Sequence, residues 1–93
     1  MRRLLVAGNW KMHGTRQSVD SLLQGLNQQD WPDNVDLMVA PPSLYIQHCL
    51  ERLSGSPLYV GGQSCAYQAE PGALTGEISA AQLRDAGCEF VLV

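Results

Sequence analysis

Four short apolar runs punctuate the chain: Leu4 to Ala7, Leu37 to Ala40, Leu58 to Val60 and Phe90 to Val93. None alternates apolar with polar positions, so each reads as a strand buried on both faces, the pattern of a parallel sheet covered by helices. Between the first two runs, Val19, Leu22, Leu23 and Leu26 recur at helical spacing, with Thr15 placed as an N-cap. The spacing returns at Ile46, Cys49, Leu50 and Leu53, where Ser43 is predicted to cap the start and Gly55 to stop the end. A third, shorter helix is framed by Ser79-Ala80-Ala81-Gln82, a capping box in which hydroxyl and amide each accept the other's backbone N–H. Ile78 and Leu83 flank it as a hydrophobic staple, and Gly87 ends it. The order is βαβαβαβ, and such short strand–helix connections require right-handed crossovers and a parallel sheet.

Length and composition narrow this picture. At 93 residues, 45% hydrophobic and 16% charged, the chain has room for one globular domain and too little charge for disorder. Its net charge is -3, and its arginines are scattered at positions 2, 3, 16, 52 and 84, so there is no basic stripe for a nucleic acid. The apolar run after Arg2-Arg3 is too short for a signal peptide, and no run approaches the roughly 18 residues of a membrane span. Nucleic acid and membrane are therefore not expected partners. Cys49, Cys65 and Cys88 form no C-x-x-C pair, which points to buried free thiols in a reducing compartment rather than a metal site or disulfide framework. The last run coincides with the end of the chain, so the fourth strand has no helix after it. Either a partner completes this sheet or the chain is part of something longer.

Candidate chemistry gathers after the first strand. Asn9 and Lys11 follow it directly, and strand alternation would project both to one side at the end where parallel α/β folds carry their chemistry. A lysine offers a compact three-donor charge suited to an anionic group such as phosphate, and a neighbouring amide can bind an oxygen without adding charge. Lys11 is the chain's single lysine among six basic residues, which argues against an ordinary surface cation. Pro41-Pro42-Ser43 reads as a structural cap, and Gly61-Gly62 marks close backbone packing rather than a phosphate loop. His48 falls off its helix's apolar stripe and is expected in solvent, while His13 sits in a loop with its role open. Gln63 to Glu77 is a long stretch without periodicity, the kind of loop that is usually an interaction element or lid. Glu77 precedes the third helix, whose dipole favours a carboxylate.

Gly8-Asn9-Trp10-Lys11-Met12-His13-Gly14, Ala40-Pro41-Pro42, Gln63-Ser64-Cys65 and Gly72-Ala73-Leu74-Thr75-Gly76-Glu77-Ile78-Ser79 resemble, in order and spacing, the N-terminal portion of the triosephosphate isomerase family. His13 departs from the asparagine more usual there. The resemblance implies a (β/α)8 TIM barrel of which this chain holds four strands and three helices. It also implies a cytoplasmic glycolytic homodimer that interconverts dihydroxyacetone phosphate and glyceraldehyde 3-phosphate with no metal or organic cofactor. Asn9 and Lys11 would bind the phosphorylated triose, Lys11 also stabilising charge on the enediolate. The Gln63 to Glu77 loop would reach the neighbouring subunit, with Thr75, Gly76 and Glu77 at the contact and Thr75 near that subunit's Asn9 and Lys11. The family's glutamate base and neutral histidine have no counterpart here, so the 93-residue piece is expected to be inactive alone and, with unpaired sheet edges, to self-associate. A non-catalytic folding or assembly module built on a small open doubly wound sheet fits the strand count equally well.

Overall fold

A computed structural model describes residues 2–93. Strand β1 (Leu4–Asn9) leads to helix α1 (Arg16–Asn27), β2 (Val35–Ala40), a 3₁₀ turn (Ser43–Tyr45) running into α2 (Ile46–Arg52), β3 (Leu58–Gly62), α3 (Ala80–Ala86) and β4 (Phe90–Val91). The four strands form one parallel sheet in sequence order. It is a curled βαβαβαβ half-barrel, the parallel β/α unit of a TIM barrel. Asn9 lies opposite Ala40 in the register, so β1 and β2 end level with each other.

Alternation along the strands separates the two faces. Leu37 and Val39 of β2 and Leu58 and Val60 of β3 turn toward the helices, where they pack with Val19 and Leu23 of α1, Ile46 and Cys49 of α2, and Leu83 of α3. Tyr59 meets Phe90 edge-to-face across β3 and β4, with ring centroids 5.4 Å apart. Gly61 is forced by this sheet: a Cβ there would stand 2.7 Å from the Phe90 carbonyl oxygen and 3.0 Å from Met38 Sδ. A Cβ on Gly62 would meet Leu83 at 2.8 Å, so both glycines serve close packing, as their sequence context predicts.

The helix ends follow local chemistry. Thr15 caps α1 by accepting the Ser18 N–H at 3.0 Å, and Ser18 Oγ accepts the Thr15 N–H in return. Ser79 and Gln82 form the corresponding box on α3, which Gly87 closes in the left-handed conformation. Ser43 does not cap α2. Instead the 3₁₀ turn is closed by Tyr45 N–H donating to the Pro42 carbonyl at 2.9 Å, after two prolines that have no N–H to satisfy.

Three further expectations are corrected. All six residues of β1 are exposed, Leu4 at 67% and Val6 at 54%, because neither face of the strand is covered: no β1 residue joins the core that α1, α2 and α3 make with β2 and β3. Strand β4 is two residues long rather than four, pairing at Gly61–Phe90 and Gly62–Val91. His48 is half-buried and its Nε2 lies 2.6 Å from Asp20 Oδ1, which also receives Arg52 Nε at 3.5 Å. Helical spacing reports only the apolar stripe of α2, and the carboxylate comes from α1 lying alongside.

The three cysteines are free; Cys49 and Cys88 are buried, and Cys65 is half-buried. Burial pushes the Cys49 thiol up to about 11 and raises Cys88 as well. The Gln63 to Glu77 loop is pinned at its base by Ala66 N–H donating to the Ile78 carbonyl at 2.7 Å, and it turns tightly where Glu77 N–H donates to Leu74. No helix among the described residues is long and apolar enough to cross a membrane.

Candidate functional site at the carboxyl edge of the sheet

Because the strands are parallel, the residues that follow β1, β2 and β3 emerge at one edge of the sheet. Asn9 is the last residue of β1, and Lys11 lies two positions beyond it, outside the strand. Strand alternation therefore does not set the direction of Lys11; a turn does. Lys11 has φ of 54°, the one non-glycine residue in the left-handed region among the described residues. That conformation costs a lysine about 1–2 kcal/mol, so its surroundings must hold it.

Two side-chain amides do so. Asn9 Oδ1 accepts the Lys11 N–H at 2.9 Å, the turn that an asparagine makes with the backbone two residues on. From the end of β3, Gln63 Nε2 donates to the Lys11 carbonyl at 2.7 Å and to the Ala40 carbonyl at 2.9 Å. The Ala40 carbonyl also accepts the Trp10 N–H at 3.0 Å. The ends of β1, β2 and β3 are thus tied at one point, with the Lys11 backbone inside the tie. Asn9 spends its acceptor on this turn, which leaves its Nδ2 group as the end able to bind a ligand oxygen.

The Asn9 side chain meets the Lys11 backbone N–H, a contact made by the turn and not by strand alternation. His13 is exposed beyond them. Gln63 is the residue sequence reasoning missed in this role; the one signal was its position directly after a strand-ending Gly61-Gly62, at the carboxyl end of β3. Thr75, Gly76 and Glu77 are exposed at the far end of their loop. Gly76 and Glu77 share with Gln63, Ser64, Ser43 and Ile78 a cleft of about 120 Å³ above β3, so the loop folds back toward the same edge. Among the described residues there is no cluster of His, Cys, Asp and Glu able to hold a metal ion.

A loop lysine held in this way, an amide beside it and a carboxyl-edge location make an arrangement able to bind an anionic oxygen group and to stabilise negative charge that develops on a neighbouring oxygen. Comparison with known proteins bears on which family uses it. The family model described as triosephosphate isomerase matches residues 4–93. A triosephosphate isomerase of Ectopseudomonas mendocina is 57% identical over 93 residues, covering 100% of this chain and 37% of the relative. One of Pseudomonas syringae pv. tomato is likewise 57% identical, and one of Pseudomonas putida is 50% identical, each with the same coverage. The chain therefore spans little more than a third of the length of these curated relatives, and over that span it belongs to the triosephosphate isomerase family.

Proposed function

We propose that these residues are the N-terminal portion of a triosephosphate isomerase, a (β/α)8 barrel that interconverts dihydroxyacetone phosphate and glyceraldehyde 3-phosphate. The observation that carries the reading is the left-handed Lys11 at the carboxyl edge, its N–H held by Asn9 Oδ1. A strained backbone kept in place by dedicated hydrogen bonds is the kind of expense that functional sites carry.

In this reading a proton leaves the carbon beside the carbonyl and returns to its neighbour, with no net transfer of electrons. Negative charge builds on the enediolate oxygens in between. Lys11 supplies a fixed positive charge to the phosphorylated triose and to that developing charge, and Asn9 Nδ2 donates to a substrate oxygen. The residues that move the proton are not among those assigned here, so the 93-residue chain alone is expected to give no turnover. The enzyme is proposed to be cytoplasmic, to need no organic cofactor or metal, and to work as a homodimer. Thr75, Gly76 and Glu77 would reach the partner subunit, Thr75 approaching the Asn9 and Lys11 region there. Alone, the 93-residue chain is proposed to self-associate through its exposed edge.

The test is an isomerase assay on a family-length protein carrying residues 1–93, as wild type and as Lys11→Met. We expect the substitution to lower kcat/KM at least roughly a hundredfold, the scale of losing one preorganised electrostatic contact. Unchanged kinetics would overturn the assignment of Lys11. Activity in the purified 93-residue chain, free of any full-length enzyme, would overturn the expectation that it is inactive.

A further inference from the structure

We infer that Gln63 is a positioning residue for Lys11, holding its backbone in the left-handed conformation from across the sheet. The inference rests on the reading of Lys11 as the substrate's charged contact and deepens it. Asn9 fixes only the N–H side of Lys11, through the 2.9 Å bond to Oδ1. The carbonyl side is fixed by Gln63 Nε2 at 2.7 Å, reaching over 52 positions of sequence. The same nitrogen has a second hydrogen and donates it to the Ala40 carbonyl at 2.9 Å. That carbonyl's other lone pair takes the Trp10 N–H at 3.0 Å.

A neutral carboxamide is the side chain this position needs. It must give two hydrogens to two carbonyl oxygens, which a carboxylate cannot do, and it must add no charge beside a lysine meant for an anion. A leucine would fill the volume and leave the Lys11 peptide free to relax to negative φ. The consequence lies in the direction of the ammonium group, not in its presence, so the loss belongs to substrate binding and transition-state stabilisation rather than to the fold.

The experiment uses the family-length protein carrying residues 1–93, with Gln63→Leu, Gln63→Glu, Lys11→Met and the double variant Lys11→Met with Gln63→Leu. Gln63→Leu is expected to lower kcat/KM for the triose phosphate roughly 10- to 100-fold, the usual scale for a displaced catalytic contact. It should have almost no further effect in the Lys11→Met background, because the residue it positions is already gone. Losses that simply multiply in the double variant would make Gln63 a structural residue and overturn the inference. Crystal structures supply a readout independent of activity: Lys11 is expected to leave φ near 54° in the Gln63 variants, and a retained value would also overturn it. Should Gln63→Leu fail to fold, the near-isosteric Gln63→Glu carries both tests. If Lys11→Met proves kinetically silent, the binding reading fails by itself, and the backbone conformation of Lys11 still decides the role of Gln63.

Discussion

At the scale of single residues, the largest constraints come from atoms with no room to move. Gly61 has the backbone of β4 against it, with the Phe90 carbonyl 2.7 Å from where a Cβ would sit. A flexible side chain could swing away from an added methyl, but a paired strand cannot. Gly61→Ala is therefore expected to cost roughly 1–3 kcal/mol, read as a lowered urea midpoint, with β4 amides exchanging faster than those of β2. An unchanged midpoint would contradict the packing argument. Cys49 constrains the molecule through solvation instead. Its thiol has an ordinary value of 9.0 and burial raises it to about 11 in the folded state. A raised acid keeps its proton longer when folded than when unfolded, so stability is intact below about pH 9 and falls as pH climbs toward 11. The loss is roughly 2–3 kcal/mol for a two-unit rise, and Cys49→Ala should flatten that part of the stability–pH curve. A curve of the same steepness in the variant would assign the alkaline loss to other groups.

At the scale of elements, what was legible in the sequence divides by the range of the interaction. Thr15, Ser79, Gln82 and Gly87 act on backbone within a few positions of themselves, and the structure shows each cap as its spacing predicts. Ser43 failed as a cap because it lies inside the 3₁₀ turn, where the N–H groups it would have served, those of Tyr45 and Ile46, go to the Pro42 and Ser43 carbonyls. His48, Lys11 and β1 depend on what other elements bring near. No periodicity within α2 encodes the Asp20 carboxylate that α1 supplies, and no pattern around Lys11 encodes Gln63. The apolar run of β1 reads like those of β2 and β3, yet no helix packs over it and it stays in solvent. Asp20, His48 and Arg52 also make a testable inter-helix clasp. All three are partly exposed, so a double-mutant cycle of Asp20→Ala with His48→Ala should give a coupling below about 1 kcal/mol, shrinking at high salt. Purely additive costs would show that the contact contributes nothing to holding α1 on α2.

For the whole molecule, surface area decides behaviour. The chain exposes 6876 Å², whereas a compact monomer of its 10.1 kDa mass would expose about 5300 Å². Its Cα radius of gyration is 13.7 Å, against about 12 Å for a compact domain of this length, and its extents of 43 × 38 × 21 Å describe a slab. The excess, about 1600 Å² on one chain, is roughly twice what a standard protein–protein interface takes from each partner. Part of the exposed apolar surface lies along β1, where Leu4, Leu5 and Val6 flank a row of unpaired backbone groups. A long edge strand without charge or proline is a template for pairing, and β4 offers the opposite edge. Sedimentation of the 93-residue chain should therefore show an average mass that rises with concentration above 10.1 kDa. Leu4→Lys with Val6→Lys should shift it toward monomer without loss of helical signal, since both side chains already face water and a charge there opposes a second strand. A wild-type chain that sediments as a single monomer at every concentration would show that the exposed edge is not sticky. Association that survives both lysines would move the contact to another face. In the family-length protein the proposed barrel covers this strand, so the same two substitutions there should destabilise the fold instead of dispersing it, by several kcal/mol for two charges forced into a packed layer.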